Sequence, residues 1–115
     1  MHNAAMINRD LVAASSRPLV LSILSEGESY GYEIIQRVKR LSNQELNWTD
    51  GMLYPVLHRL EKEGLIKSRW RTAATGRRRK YYAINRAGTD RLNEERRQWL
   101  LVDGALKGLW DGKHV

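Results

Sequence analysis

Four consecutive cationic residues, Arg77-Arg78-Arg79-Lys80, close a window in which Lys67, Arg69 and Arg71 alternate with uncharged side chains. Residues 67–80 hold these seven basic groups and no acidic one, while the stretches on either side are each within one charge of neutral. The net charge of +7 is therefore local. Guanidinium and ammonium groups massed on one short segment repel one another unless an anion binds them, so the chemistry this window can do is recognition of a polyanion. The plain alternative is a solvated face with acidic neighbours folded over it.

Catalytic chemistry finds no comparable support. The chain has no cysteine, which excludes disulfides, thiolate nucleophiles and cysteine-ligated metals. Its three histidines are His2, His58 and His114, and no nucleophile, base and orienting acid can be assembled around any of them. His58 falls on the polar side of a helix, where a phosphate or water partner suits it better than catalysis. The glycines match neither a phosphate-binding loop nor a dinucleotide fingerprint, and the carboxylates show no metal-ligand spacing. Glu61 and Glu63 point in different directions from one helix and belong to a solvated face. The chain is expected to be neither an enzyme nor a binder of cofactor or metal.

The elements that must carry the basic window follow from periodicity. A length of 115 residues, 42% of them apolar and 29% charged, suits one soluble domain with a single core. The longest apolar stretch, around Leu19 to Leu24, is far short of the ~20 residues of a membrane span, and the N-terminus lacks the basic-then-apolar order of a signal peptide. A cytoplasmic location is expected. Ser16-Arg17-Pro18 reads as a helix start with Pro18 in its first turn, ending at Gly27; a weaker helical stretch, Asp10 to Ser15, precedes it. Either Pro18 kinks one helix or it begins a second.

Gly31 opens the next helix, in which Ile34, Ile35, Val38 and Leu41 form an apolar stripe. The polar stretch Ser42 to Asn47 is a loop, and Thr49 is the N-cap of a third helix with Asp50 at its positive end. Leu53, Val56, Leu57 and Leu60 give that helix its buried stripe, and Gly64 its stop. Its opposite face holds Gly51, Tyr54, Pro55, His58, Arg59 and Lys62. Pro55 removes a backbone hydrogen bond, so a bent or shortened first turn is expected. From Ile66 the period changes to two: Ile66, Ser68, Trp70 and Thr72 alternate with the cations, and a second strand follows from about Arg79 to Asn85. The pair makes a β-hairpin with a basic tip.

A last helix, about Arg86 to Trp110, would be roughly 37 Å long. Leu92, Trp99 and Leu106 share one heptad register, and Val102 and Leu109 follow three residues after the last two, with Leu100, Leu101 and Trp110 widening the face. Its cover is either the same helix of a second subunit or the helices of its own chain.

The expected fold is mainly α with a small β-hairpin, a winged helix-turn-helix over residues 10–85 followed by a dimerisation helix over 86–110. Residues 1–9 form a flexible start and 111–115 a tail. In such a domain the third helix enters the major groove by its first turns, which places Thr49, Asp50, Gly51 and Tyr54 toward DNA, with Pro55, His58 and Arg59 farther along. Asp50 has an equally good role as a helix-end charge. Arg77, Arg78, Arg79 and Lys80 reach phosphate or the minor groove, and Tyr32, Gln36, Arg37 and Lys39 touch backbone from the second helix. An RNA-binding or nonspecific nucleic-acid-binding protein using the same hairpin is the alternative, and the long patterned helix argues against it.

The stretch from Gly51 to Ile66, Gly51-Met52-Leu53-Tyr54-Pro55-Val56-Leu57-His58-Arg59-Leu60-Glu61-Lys62-Glu63-Gly64-Leu65-Ile66, resembles the PadR-type transcriptional regulators. So do Gly31-Tyr32-Glu33-Ile34 and Gly76-Arg77-Arg78-Arg79-Lys80-Tyr81-Tyr82. Met52 departs from the threonine more usual there. The similarity covers about residues 10–110, and the single short last helix resembles the small subgroup of the family. The resemblance implies a homodimeric repressor that binds inverted-repeat double-stranded DNA and is released by a small aromatic or hydrophobic effector. By position it also implies an effector groove with Trp99 and Asp103 on the last helix and Ala14, Arg17 and Pro18 as the opposing wall. Packing in the dimer core accounts for Trp99 equally well.

Overall fold

The computed structural model describes residues 7–112. His2, His114, the first six residues of the N-terminal segment and the last three of the tail lie outside the described residues. The order is α1 (Arg9–Ser25), β1 (Ser29–Tyr30), α2 (Gly31–Leu41), α3 (Asp50–Lys62), β2 (Ile66–Thr72), β3 (Arg78–Ile84) and α4 (Arg86–Trp110). Four helices and a small antiparallel sheet give a winged helix-turn-helix with a long C-terminal helix.

The question Pro18 posed is resolved in favour of one helix, since α1 passes through it without interruption. Asn8 caps the start by accepting from the Asp10 and Leu11 amides at 2.8 and 3.1 Å. Val20, Leu21, Ile23 and Leu24 put its second half into the core. In α2, Ile34 and Val38 are fully buried, but Leu41, expected in the same stripe, is 64% exposed. It is the last residue of the helix, past the turn that the core covers.

α3 starts where its cap predicts: the Thr49 hydroxyl accepts from the Met52 amide at 3.3 Å. Contrary to expectation the first turn is not shortened, and the helix continues through Pro55. The missing Pro55 amide would have faced the Gly51 carbonyl, and both residues are exposed, so water can replace the lost bond. Leu53, Val56, Leu57 and Leu60 are buried. Gly64, at φ +77°, takes the left-handed position that stops the helix. In the connection before α3, Asn43 and Gln44 also adopt positive φ, 54° and 72°, and the Gln44 amide closes on the Lys39 carbonyl at 2.8 Å.

The hairpin pairs Ile66 with Ile84 and Thr72 with Arg78, so the second strand begins one residue earlier than expected and ends at Ile84, leaving Asn85 to cap α4. It is not two-stranded, however. Ser29-Tyr30 pairs with Tyr82-Tyr81, giving the order β1-β3-β2 with β3 in the centre. Two residues are too few to show a period, so this strand leaves no signal in the sequence. Alternation buries only the base of the sheet: Ile66 and Tyr82 are nearly inaccessible, whereas Trp70 is 58% exposed because the hairpin extends beyond the helices.

α4 is held at its base. Asn85 caps it through the Gly88 amide (2.8 Å) and donates from its side chain to the Gly64 carbonyl (2.7 Å). Gly88 touches the main chain of Leu65 so closely that a Cβ there would lie 2.2 Å from the Leu65 carbonyl oxygen. Leu92, expected in a dimer seam, is instead taken into the chain's own core, because α4 packs on α1 over its first turns. None of the described helices is long and apolar enough to cross a membrane.

Candidate nucleic-acid interface

The first turns of α3 and the hairpin form the two walls of a cleft of about 630 Å³. Asp50 and Tyr54 line it from α3, Tyr32 from the start of α2, and Trp70 with Arg77, Arg78, Arg79 and Lys80 from the wing. The α2–α3 wall is fixed by a close approach: a Cβ on Gly31 would sit 2.6 Å from the Tyr54 hydroxyl. Glycine here leaves room for the Tyr54 ring, which any larger residue would push aside. Asp50, Gly51 and Pro55 are exposed, as are His58 and Arg59 farther along the same helix. The last three do not line the cleft, nor do Thr49, Gly51, Gln36 or Lys39.

The wing presents its cations on aromatic supports. Arg78 lies over the Trp70 ring at 5.0 Å, Arg79 over Tyr30 at 4.4 Å, and Arg71 over Tyr81 at 4.5 Å. Tyr30 and Tyr81 meet edge to face at 5.2 Å. Such contacts hold a long side chain extended without neutralising it, so less conformational freedom is lost when a phosphate arrives. Trp70 was not singled out from the sequence as a site residue. Its signal was the alternation that puts it on the side of β2 opposite the cations, and only the protrusion of the hairpin turns that side into a cleft wall.

The basic window divides in two. Glu28, just before β1, pairs with Arg69 at 3.0 Å and also with Arg71, and its carboxyl is held below the usual carboxylate range by its hydrogen bond to Arg69. Among the described residues no carboxylate comes within ion-pair distance of Arg77, Arg78, Arg79 or Lys80. Glu28 thus offsets part of the charge on the β2 side, where Lys67 has no carboxylate partner among the described residues. Arg37, expected at DNA backbone, is half-buried and bound to Glu26 at 2.7 Å, which commits its charge within the chain.

At the other end of the molecule, α1 and α4 enclose two depressions on either side of Trp99. The smaller, about 410 Å³, is lined by Ala14, Arg17, Glu95, Gln98, Trp99 and Val102. The larger, about 620 Å³, is an apolar groove that includes Leu11, Pro18, Leu19, Leu92 and Trp99. Of the expected effector residues, Ala14, Arg17 and Trp99 thus share one cavity, and Pro18 lies across Trp99 in the other. Asp103 lines neither and is paired with Lys107 at 3.1 Å. Glu95 and Gln98 were missed; Glu95 stands one helical turn before Trp99, a spacing visible in the sequence. Val102, Leu109 and Trp110 are 54, 62 and 74% exposed, and Leu106 is also open to solvent.

Residues 20–94 match the transcriptional regulator PadR-like family. The chain belongs to that family. It is 36% identical over 89 residues to a transcriptional regulator of Mycobacterium tuberculosis, a match covering 77% of this chain and 79% of that one. It is 30% identical over 91 residues to a transcriptional regulator of Escherichia coli, of which it spans only 42%. Among solved structures, a PadR-like transcriptional regulator from Bacillus cereus superposes with a TM-score of 0.78 at 29% identity, covering 88% of this chain and 96% of that one. A transcriptional regulator from Clostridium thermocellum gives 0.78 at 31% identity, over 89% and 96%. This PadR-like chain is accordingly a DNA-binding transcriptional regulator and not an enzyme. Among its described residues no three potential metal ligands cluster.

Proposed function

We propose that this PadR-like regulator is a repressor that acts as a homodimer on an inverted-repeat operator and is released by a small aromatic or hydrophobic effector. The observation that carries the DNA half is the cleft between α3 and the wing, with four unpaired cations on one wall and the small, polar first turn of α3 on the other. Side chains on that turn read base edges in the major groove, while Arg77, Arg78, Arg79 and Lys80 hold phosphate or enter the minor groove. Tyr32 touches the backbone beside them. Gln36 and Lys39 extend that contact along α2.

Dimerisation is argued from the exposed end of α4. Trp99, Val102, Leu106, Leu109 and Trp110 form an exposed apolar strip that α1 borders only at Trp99 and Val102, and a second copy of α4 and α1 covers it. Two α3 helices must then stand about one DNA turn, ~34 Å, apart, and any change in how the α4 helices cross alters that spacing. The effector is placed against Trp99, between Ala14 and Arg17 on one side or over Pro18 on the other. A complete switch from 99:1 to 1:99 requires about 5.5 kcal/mol of preference for the releasing geometry.

Selection of duplexes from a random DNA pool by the purified protein, at near-physiological salt, tests the reading. A two-fold-symmetric site should be enriched. No enrichment, with structured RNA bound equally well, would refute a sequence reader and leave nonspecific or RNA binding.

A further inference from the structure

We propose that Arg17 is a positioning residue for the recognition helix: its guanidinium ties the C-terminus of α3 to the wall of the α1–α4 cavity, so that whatever occupies the cavity acts on the orientation of α3. The inference rests on the reading of α3 as the base-reading element and adds the residue that joins the two sites.

Glu63 caps the C-terminus of α3. A carboxylate there faces the negative end of the helix dipole, where cations are favoured. It is retained by being enclosed. Arg17 on α1 donates from Nη1 to Oε2 at 2.8 Å and from Nη2 to Oε1 at 3.0 Å, and Arg91 on α4 approaches Oε1 at 3.4 Å. A two-pronged guanidinium–carboxylate contact fixes orientation as well as distance. The Arg17 hydrogen bond also holds the Glu63 carboxyl below its ordinary range.

Arg17 Nη2 in addition lies 3.5 Å from Glu95 Oε2 on α4, and both side chains are about four-fifths shielded from solvent, at 22 and 20% exposure. These same two residues line the 410 Å³ cavity together with Trp99. One guanidinium therefore serves Glu63, Glu95 and whatever enters the cavity. An anionic group placed there competes with Glu63 for Arg17, and a cationic group competes with Arg17 for Glu95. Either alters the tether. Because α3 is roughly 20 Å long, a tilt of about 3° at the tethered end moves the base-reading end by about 1 Å. That exceeds the ~0.5 Å tolerance of a built binding site.

The experiment compares affinity for a selected operator duplex and for a scrambled duplex of equal length, using the full chain and the variants Arg17→Gln, Glu63→Gln, their double, and Glu95→Gln. Arg17→Gln is expected to lower the operator-to-scrambled ratio about fivefold, the scale on which residues touching neither ligand modulate coupling. Affinity for scrambled DNA and its salt dependence should stay unchanged, since Arg17 does not line the cleft between α3 and the wing; a merely structural role would lower both affinities together. Glu63→Gln should match it, the double should add nothing further, and Glu95→Gln should have a smaller effect in the same direction. For variants that melt early, Arg17→Lys keeps the charge and loses the fork, and its α3 amide resonances at Gly51 to Leu53 should shift. An unchanged ratio, additive singles, or unmoved α3 amides in Arg17→Lys overturns the inference while leaving α3 as the reader. If the unmodified chain shows no preference for any duplex, the reader itself fails and the inference falls with it.

Discussion

α4 is one uninterrupted helix, yet its two halves do different work. In the base, Gly88 lies against the Leu65 main chain, Leu92 is in the core, and Arg91 and Glu95 join the ion pairs that hold Arg17 and Glu63. In the outer half, Leu100, Leu101, Val102, Leu106, Leu109 and Trp110 all remain accessible. Composition and reach both separate them. Residues 86–97 hold one leucine and seven charged side chains, whereas residues 98–110 hold four leucines, Val102 and two tryptophans with only Asp103 and Lys107 charged. α1 and the base of the sheet cover the first turns, and a helix of 25 residues outruns them. The base belongs to the fold, and the outer half is the surface proposed for dimerisation.

The comparison breaks first at Gly88. A methyl group there would meet the Leu65 carbonyl oxygen at 2.2 Å and Ile84 Cγ1 at 2.6 Å, and the nearer contact is backbone, which cannot rotate away. Alanine normally gains up to about 1 kcal/mol over glycine inside a helix, but overpacking of this kind costs about 3 kcal/mol. Gly88→Ala should therefore lower stability by about 2 kcal/mol in denaturant unfolding. Gly108, in the outer half, has open space around its added Cβ, and Gly108→Ala should leave stability unchanged or raise it. Equal losses at the two glycines would erase the distinction.

The outer half is tested by its interface. Replacing Val102 and Leu109 with Asp should weaken self-association about a hundredfold, a loss of about 2.7 kcal/mol, while the helical circular dichroism persists. Sedimentation across a dilution series reads the first and spectroscopy the second. A doubly substituted chain that still sediments as a dimer would place the interface elsewhere.

How much of this was legible in the sequence depended on whether a signal was local. The Thr49 cap, the Gly64 stop, the stripe Leu53-Val56-Leu57-Leu60 and the hairpin itself each follow from local stereochemistry, and all appear in the structure. Heptad spacing put Leu92 and Leu106 on one face, but it cannot say where along a helix the body of the domain ends, so it sent Leu92 to the wrong partner. Charge patterning likewise found the basic window without finding Glu28, some forty residues earlier, which pairs with Arg69 and Arg71. Arg17 and Arg37, assigned by position to ligands outside the chain, also have fold-dependent partners at Glu63 and Glu26. The sequence located the wing and α3 as elements, and the long-range ion pairs not at all.

Those ion pairs make the base of α4 acid-sensitive. Glu63 has its pKa depressed below the ordinary value of 4.5, chiefly by the Arg17 hydrogen bond, and the folded state is therefore favoured above that value. The contribution is lost as pH falls through the depressed folded value, because protonated Glu63 no longer pairs with Arg17. Glu94, held down to about 2 by Arg97 and Gln98 within α4 itself, acts in the same direction. The melting temperature should be insensitive to these groups between pH 6 and 8, above the ordinary carboxylate value of 4.5, and should fall below about pH 4.5. In Glu63→Gln that acid decline should be shallower. An identical decline would remove the α3 tether from the acid-labile contacts.

The smallest expected effects lie in the wing, where the paired and unpaired cations can be set against each other. Removing one phosphate contact reduces the slope of log affinity against log salt by about 0.9. Arg79→Gln should show that decrement on any duplex, because Arg79 has no carboxylate partner and is held toward the cleft edge by Tyr30. Arg69→Gln should change the slope less, since Glu28, shared with Arg71, already offsets part of its charge in the free protein. Glu28→Gln then sharpens the contrast, because it releases Arg69 and Arg71 together without altering either arginine. If the outer face of β2 approaches DNA, nonspecific affinity and the salt slope both rise in that variant; if they do not change, Glu28 serves only to fold β1 against the wing, and recognition rests on Arg77 to Lys80 alone.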